Sequence, residues 1–107
     1  MSHDFVWHER FIEVKSRQIT KFPHVDNIVG VLDEDVARIH PFAVLVFVII
    51  KADWSTGWFA GWVTMPTFLR IARRKAAGSK SGVVTYIKAN REVTVAELEI
   101  MEDLLQI

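Results

Sequence analysis

Seven cations with no acid among them are the residues of this sequence with the plainest chemistry. Arg70, Arg73, Arg74, Lys75, Lys80, Lys88 and Arg91 fall between Asp53 and Glu92, an interval without Asp or Glu. The formal net charge is zero over 107 residues, so the balancing acids stand elsewhere. Asp26, Asp33, Glu34 and Asp35 precede the run, and Glu92, Glu97, Glu99, Glu102 and Asp103 follow it. Charge segregated in this way predicts one electropositive face on a neutral body. Such a face attracts polyanions, nucleic acid foremost, although a merely solvated surface is the plainer reading of a charge run.

Other chemistry is sparse. Cysteine is absent, which excludes disulfides and thiolate metal sites. No serine lies in a Gly-x-Ser-x-Gly elbow, and no Gly-x-x-x-x-Gly-Lys-Ser/Thr loop is present. His3, His8, His24 and His40 are scattered without ligand spacing. Asp33-Glu34-Asp35 offers carboxylates for acid–base work, but consecutive acids before a helix ordinarily cap its dipole. The expectation is a protein that is not an enzyme and holds no metal or cofactor. Trp54, Trp58 and Trp62 recur every four residues, and they read either as core and turn packing or as an exposed platform for bases or a partner. Tyr86 beside the basic run reads as a phosphate or base contact, or as an interfacial core residue.

The elements that must position these groups follow from apolar spacing and turn residues. Half of the residues are apolar, as in an ordinary globular domain, and the length suits a single domain over 1–107. Phe11-Ile-Glu-Val-Lys15 alternates as an extended, half-buried segment. Pro23 opens a short helix bearing Val25, Ile28, Val29 and Leu32, and Asp33 to Asp35 start a helical turn through Val36 and Ile39. The run from Phe42 to Ile50 is too short to cross a bilayer, which needs about 20 residues. Following Pro41, it is read as a buried helix to Asp53, although its Val and Ile content favours a strand. Ser55-Thr-Gly57 is a turn, and Trp58 to Trp62 a short strand or aromatic loop. Thr64 and Pro66 begin a basic helix that runs to about Ala77 and stops at Gly78. Residues 83–95 read either as a short recognition helix or as a β-hairpin. Thr94-Val-Ala-Glu97 has the capping-box pattern, and Leu98, Met101, Leu104 and Leu105 continue it as a C-terminal helix. Its apolar stripe closes the core or pairs two copies into a homodimer. No secretory signal or membrane span is evident, and the cytoplasm is the expected location.

From Phe11 to about residue 90 the order of landmarks resembles the winged-helix domains at the N-termini of phage and plasmid replication-initiation proteins. The matching pieces are Phe11-Ile-Glu-Val14, Phe22-Pro-His-Val25 with Ile28 and Leu32, Ala43 to Trp54, Ser55-Thr-Gly57 and Thr64-Met-Pro-Thr-Phe-Leu69. The aromatic Trp58–Trp62 segment, the Gly/Ser/Lys turn and the acidic C-terminal segment depart from that pattern. The resemblance implies a mainly α fold with a small β component, a winged-helix or helix–turn–helix domain of three to five helices. It implies double-stranded DNA as the partner and a role as a transcriptional regulator or replication accessory factor. Arg70, Arg73, Arg74, Lys75, Lys80, Lys88 and Arg91 would then face DNA. Ser79, Ser81, Thr85 and Lys88 would add base or phosphate contacts if the second helix reads the groove. In the hairpin version the helix Pro66–Ala77 reads the groove and residues 88–91 form the wing tip. The competing reading is an adaptor or inhibitor that docks on a protein through Trp54–Trp62 and the C-terminal helix.

Overall fold

Val44 to Lys51, expected to be helical, form a buried strand. Six of its eight residues are β-branched or aromatic, and a strand covered on both faces reads as a continuous apolar run. The computed structural model describes residues 4–81, 84, 85 and 87–104. Along the chain come β1 (Phe5–Trp7), β2 (Arg10–Ile19), β3 (Ile28–Leu32), α1 (Asp33–Val36), β4 (Val44–Lys51), β5 (Gly57–Thr64) and α2 (Met65–Ile71). They are followed by β6 (Arg73–Lys75), β7 (Lys80–Ser81), β8 (Val84–Thr85), β9 (Asn90–Thr94), a 3₁₀ turn (Val95–Glu97) and α3 (Met101–Leu104).

The fold is therefore mainly β, not mainly α, and it contains neither a helix–turn–helix nor a winged helix among the described residues. The helix placed after Pro23 is a turn leading into β3, because Ile28 to Leu32 pair with β9. The basic helix ends at Ile71 instead of Ala77, and Arg73 to Lys75 join a sheet. Neither version of residues 83–95 holds. β8 pairs with β7, while β9 pairs with β3 and β6, so the two β-prone stretches never form a hairpin with each other. The capping box is present, with Glu97 Oε1 accepting from the Thr94 amide at 2.9 Å, but it closes a single 3₁₀ turn. Leu98 to Ile100 are extended, and only Met101–Leu104 is helical thereafter.

A four-stranded sheet runs β1-β2-β4-β5, and a three-stranded sheet runs β3-β9-β6. β2 and β4 are parallel with Glu13 beside Leu45 and Ile19 beside Lys51; β4 and β5 are antiparallel. The tight β1–β2 turn puts His8 and Glu9 at φ 48° and 63°, as a two-residue hairpin with the right-handed strand twist requires. Alternation divides the core. Leu45, Phe47 and Ile49 pack with Val29, Val31 and Val93 of the second sheet and with Phe68, while Val44 and Val46 pack with Ile12, Trp62 and Leu104 on the far side. A bulge at Ala60 shifts the β4–β5 register, since Phe47 opposes Gly61 and Val48 opposes Phe59. There Gly61 lies at φ 148°, and a Cβ on it would stand 2.6 Å from the Glu99 carbonyl oxygen. This glycine lets residues 98–99 lie against β5, where Trp62 and Glu99 exchange backbone hydrogen bonds of 3.0 and 2.9 Å.

Candidate functional site

On β2 the residues Phe11, Glu13, Lys15, Arg17 and Ile19 share one face, and the register sets that face beside Leu45, Phe47 and Ile49. It is the side that looks toward the second sheet. Phe11 and Ile19 pack on the inter-sheet core, as that position demands. Glu13 and Lys15 do not suit it. The Glu13 side chain is only 10% exposed, with the Lys15 ammonium 3.4 Å from its Oε1. The same ammonium lies 3.9 Å from Asp35 Oδ2, and Asp35 also faces the Arg38 guanidinium at 3.5 Å. Two carboxylates thus converge on one lysine in the mouth between the sheets. One step along the strand, Arg17 donates to the Ile28 carbonyl, and at the opposite end His40 stacks on Phe11 with centroids 3.9 Å apart.

Charge-assisted N–H···O bonds run at about 2.7–2.9 Å. At 3.4 and 3.9 Å the Lys15 ammonium stands at the long end of ion-pair distance from both carboxylates. Desolvating such a pair costs several kcal/mol per ion, roughly what the attraction returns. Placing charge on a core-facing strand position therefore adds little stability, and local conflicts with the fold concentrate at sites that do something else. The sequence holds a signal for this cluster. Ile12, Val14, Phe11 and Ile19 cover both faces of β2, which forces Glu13 inward.

Four of the seven cations of the basic run are paired with acids. Arg73 meets Glu97 at 2.7 Å, Arg74 and Arg91 share the two oxygens of Asp33 at 3.2 and 2.8 Å, and Lys88 meets Glu34 at 2.9 Å. The acids respond accordingly. Arg91 and Arg74 hold the Asp33 carboxyl below its ordinary range, Lys88 does the same to Glu34, and Arg73 with the Thr94 amide brings Glu97 down to about 2. Acids remote in sequence thus neutralise the run across β6, β9 and α1. Arg70 lies exposed on α2, Lys75 ends β6, and Lys80 begins β7; among the described residues they show no ion pair. The Ser79 hydroxyl donates to the Ala76 carbonyl in a turn, and Ser81 and Thr85 lie on the β7–β8 hairpin. None of these lies on a recognition helix. Tyr86 and Leu105 fall outside the described residues.

The tryptophans separate by role. Trp62 is core, its indole N–H donating to the Ile100 carbonyl at 2.9 Å, and Trp58 is partly buried against the inter-sheet core. Trp54 is exposed at the β4–β5 hairpin tip, and Phe22 on the turn after β2 stands edge-on to Trp58 at 6.2 Å. On the far side of the four-stranded sheet, Phe5, Trp7, Val14, Phe59 and Met101 line an apolar groove of about 230 Å³. Among the described residues no three or more of His, Asp and Glu group as a metal cage, and no helix is long and apolar enough to cross a membrane. Comparison with protein-family models, with curated proteins and with solved structures finds no match to this chain.

Proposed function

We propose that the chain is a hydrolase of nucleic-acid phosphodiester bonds, with Glu13, Lys15 and Asp35 as its reacting groups. The observation that carries this reading is the Glu13–Lys15–Asp35 cluster, with Glu13 and Lys15 on β2 and Asp35 on α1. A nucleophilic serine or cysteine is not part of it, so water is the natural attacking group. The substrate must be one whose transition state carries negative charge, because an ammonium sits between the carboxylates with Arg17 and Arg38 close by. A phosphodiester meets that requirement.

Glu13 accepts the proton of the attacking water, and Lys15 holds the non-bridging phosphate oxygen as charge accumulates there. The water oxygen bonds to phosphorus while the bond to the leaving sugar oxygen breaks, and that oxygen takes its proton from bulk water. Were a divalent cation bound, Glu13 and Asp35 would hold it only with the Lys15 ammonium moved aside, water and a substrate phosphate completing its shell. Such a cation would supply charge neutralisation and a more acidic bound water. Supercoiled plasmid and single-stranded oligonucleotides incubated with the protein in Mg²⁺, Mn²⁺ or EDTA provide the test. Cleavage that needs the cation and is lost in E13Q, K15M and D35N is expected. Intact substrate under every condition, or cleavage indifferent to K15M, refutes the proposal.

A protein-docking adaptor is the second reading, favoured by the apolar groove and exposed Phe59, which hydrolysis does not use. Binding through that groove would be nearly insensitive to salt, whereas binding through phosphates weakens steeply with it.

A further inference from the structure

We infer that the tip of the β4–β5 hairpin, with Phe22, is a base-stacking platform for unpaired nucleotides of the substrate. This rests on the nucleic-acid reading above and adds the part of the substrate that reaches beyond the scissile bond. Trp54 is 69% exposed and sits at φ 64°, a conformation that a bulky side chain rarely adopts. The loop imposes it. The Trp54 amide donates to the Lys51 carbonyl at 2.8 Å, the Ser55 amide to Asp53 Oδ1 at 2.9 Å, and the Lys51 amide to the Thr56 carbonyl at 2.9 Å. A turn built only for connection would use glycine or asparagine there. Strain fixed by surrounding bonds and spent on displaying an indole to solvent is the mark of a contact residue.

Phe22, 79% exposed, stands edge-on to Trp58 at 6.2 Å, with the Lys51 ammonium 5.7 Å over its ring. Aromatic faces with Lys21 beside Phe22, and with Lys51 shared between the Phe22 ring and Asp53 Oδ2 at 3.9 Å, suit an occupant whose flat π-surfaces stack and whose backbone is anionic, as nucleic acid does. The strand register supplies a path. Ile19 lies beside Lys51 and Glu13 beside Leu45, so the platform and the cluster are six residues apart on β2. At ~3.3 Å per residue this is roughly 20 Å, about six phosphates at duplex spacing and fewer in an extended strand. Lys15 and Arg17 line that interval on the same face.

The test is tryptophan fluorescence during titration with a twelve-nucleotide oligo(dT) in EDTA, followed by cleavage in Mg²⁺. Stacking on the indole should quench emission, and W54A and F22A should each weaken binding about tenfold. W54G relieves the strained backbone, so it should melt no lower than the parent and yet lose the same affinity, which separates stacking from folding. Wild-type affinity in W54A, W54G and F22A with cleavage retained overturns the platform and leaves the hydrolase standing. Quenching and tight binding without cleavage uphold the platform and remove the hydrolase. Binding of an aromatic-rich peptide, and not of the oligonucleotide, overturns the platform in favour of protein docking.

Discussion

If Glu13 and Lys15 serve chemistry instead of cohesion, their removal in pairs and singly must have opposite consequences for stability. K15M leaves the Glu13 carboxylate, 10% exposed, facing Asp35 without the ammonium between them. Breaking a fully buried pair costs about 3–5 kcal/mol. Lys15 and Asp35 are about a quarter exposed, at 25% and 28%, so solvent screening lowers the expected loss. We expect about 2 kcal/mol for K15M. E13L leaves Lys15 with Asp35 alone and should cost less, about 1 kcal/mol. The double variant E13L/K15M places two apolar side chains on a face that already packs against Leu45 and Phe47. It should match the parent or exceed it by about 1 kcal/mol, a coupling of roughly 3–4 kcal/mol between the two sites. Urea denaturation with a constant slope measures all four proteins, and a loss of 2 kcal/mol moves the midpoint by about 1 M. Nuclease assays on the same samples should show activity in the parent only. A double variant that loses the sum of the two single losses would mean that Glu13 and Lys15 are not coupled, and the cluster on which the argument for catalysis rests would fail with it.

Three further outcomes follow from the geometry. G61A should lose about 3 kcal/mol, because its Cβ would stand 2.6 Å from the Glu99 carbonyl oxygen at φ 148°; urea midpoints report it, and an unaltered midpoint would refute the close approach. Glu97, held at about 2 by Arg73 against an ordinary 4.5, stabilises the fold fully above pH 4.5 and loses that contribution as the pH falls toward 2. Asp33 and Glu34 are lowered in the same sense. The urea midpoint should therefore decline over this acid range, and E97Q should flatten part of the decline. R73A/R74A should lower the urea midpoint through lost ion pairs with Glu97 and Asp33 while leaving the salt dependence of duplex binding as it was; a flattened salt slope would return those arginines to a DNA-binding face.

Local chemistry was legible where one short stretch decides the outcome. The extended Phe11–Lys15, the helical turn from Asp33 and the capping box at Thr94 appear at their expected places, while the turn expected at Ser55–Gly57 falls earlier, over Ala52 to Ser55, and Gly57 already begins β5. The apolar run of β4 was not, since its periodicity is that of any fully buried segment and Pro41 before it suggested a helix start. Its Val and Ile content pointed the right way, and partners on both sides settle it. Strand pairing is a long-range property, and nothing local in Asn90–Thr94 announces that it lies between Ile28–Leu32 and Arg73–Lys75. The same non-locality hid the electrostatics. A stretch without acids looks uncompensated only when compensation is sought nearby, and Arg91 finds Asp33 across 58 positions of sequence. Glu13 and Lys15 lie in an alternation that reads as a half-buried strand, and only pairing with β4 turns their face toward the second sheet.

The neutralised run leads to a sharper statement about α1. Within one helical turn Asp33 serves Arg74 and Arg91, Glu34 serves Lys88, and Asp35 faces Lys15 and Arg38. The first two carboxylates pair with cations on β6, β9 and the segment before it, and on the proposed function this would leave the β2 face as the one that meets polyanions. Asp33→Asn tests this division of labour. It removes the single negative charge that the two carboxylate oxygens share between Arg74 and Arg91, whose side chains are 52% and 31% exposed, and leaves two guanidiniums to meet phosphate. Each phosphate neutralised steepens the dependence of log K on log salt by about 0.9. Duplex binding by the D33N protein should therefore tighten at low salt, with a slope steeper by roughly one to two, while cleavage per bound molecule falls as substrate is held on the wrong edge. Filter binding at several salt concentrations alongside single-turnover cleavage separates the two effects. An unchanged slope would mean that Arg74 and Arg91 are not masked by Asp33, and that charge cancellation at α1 does not steer the substrate.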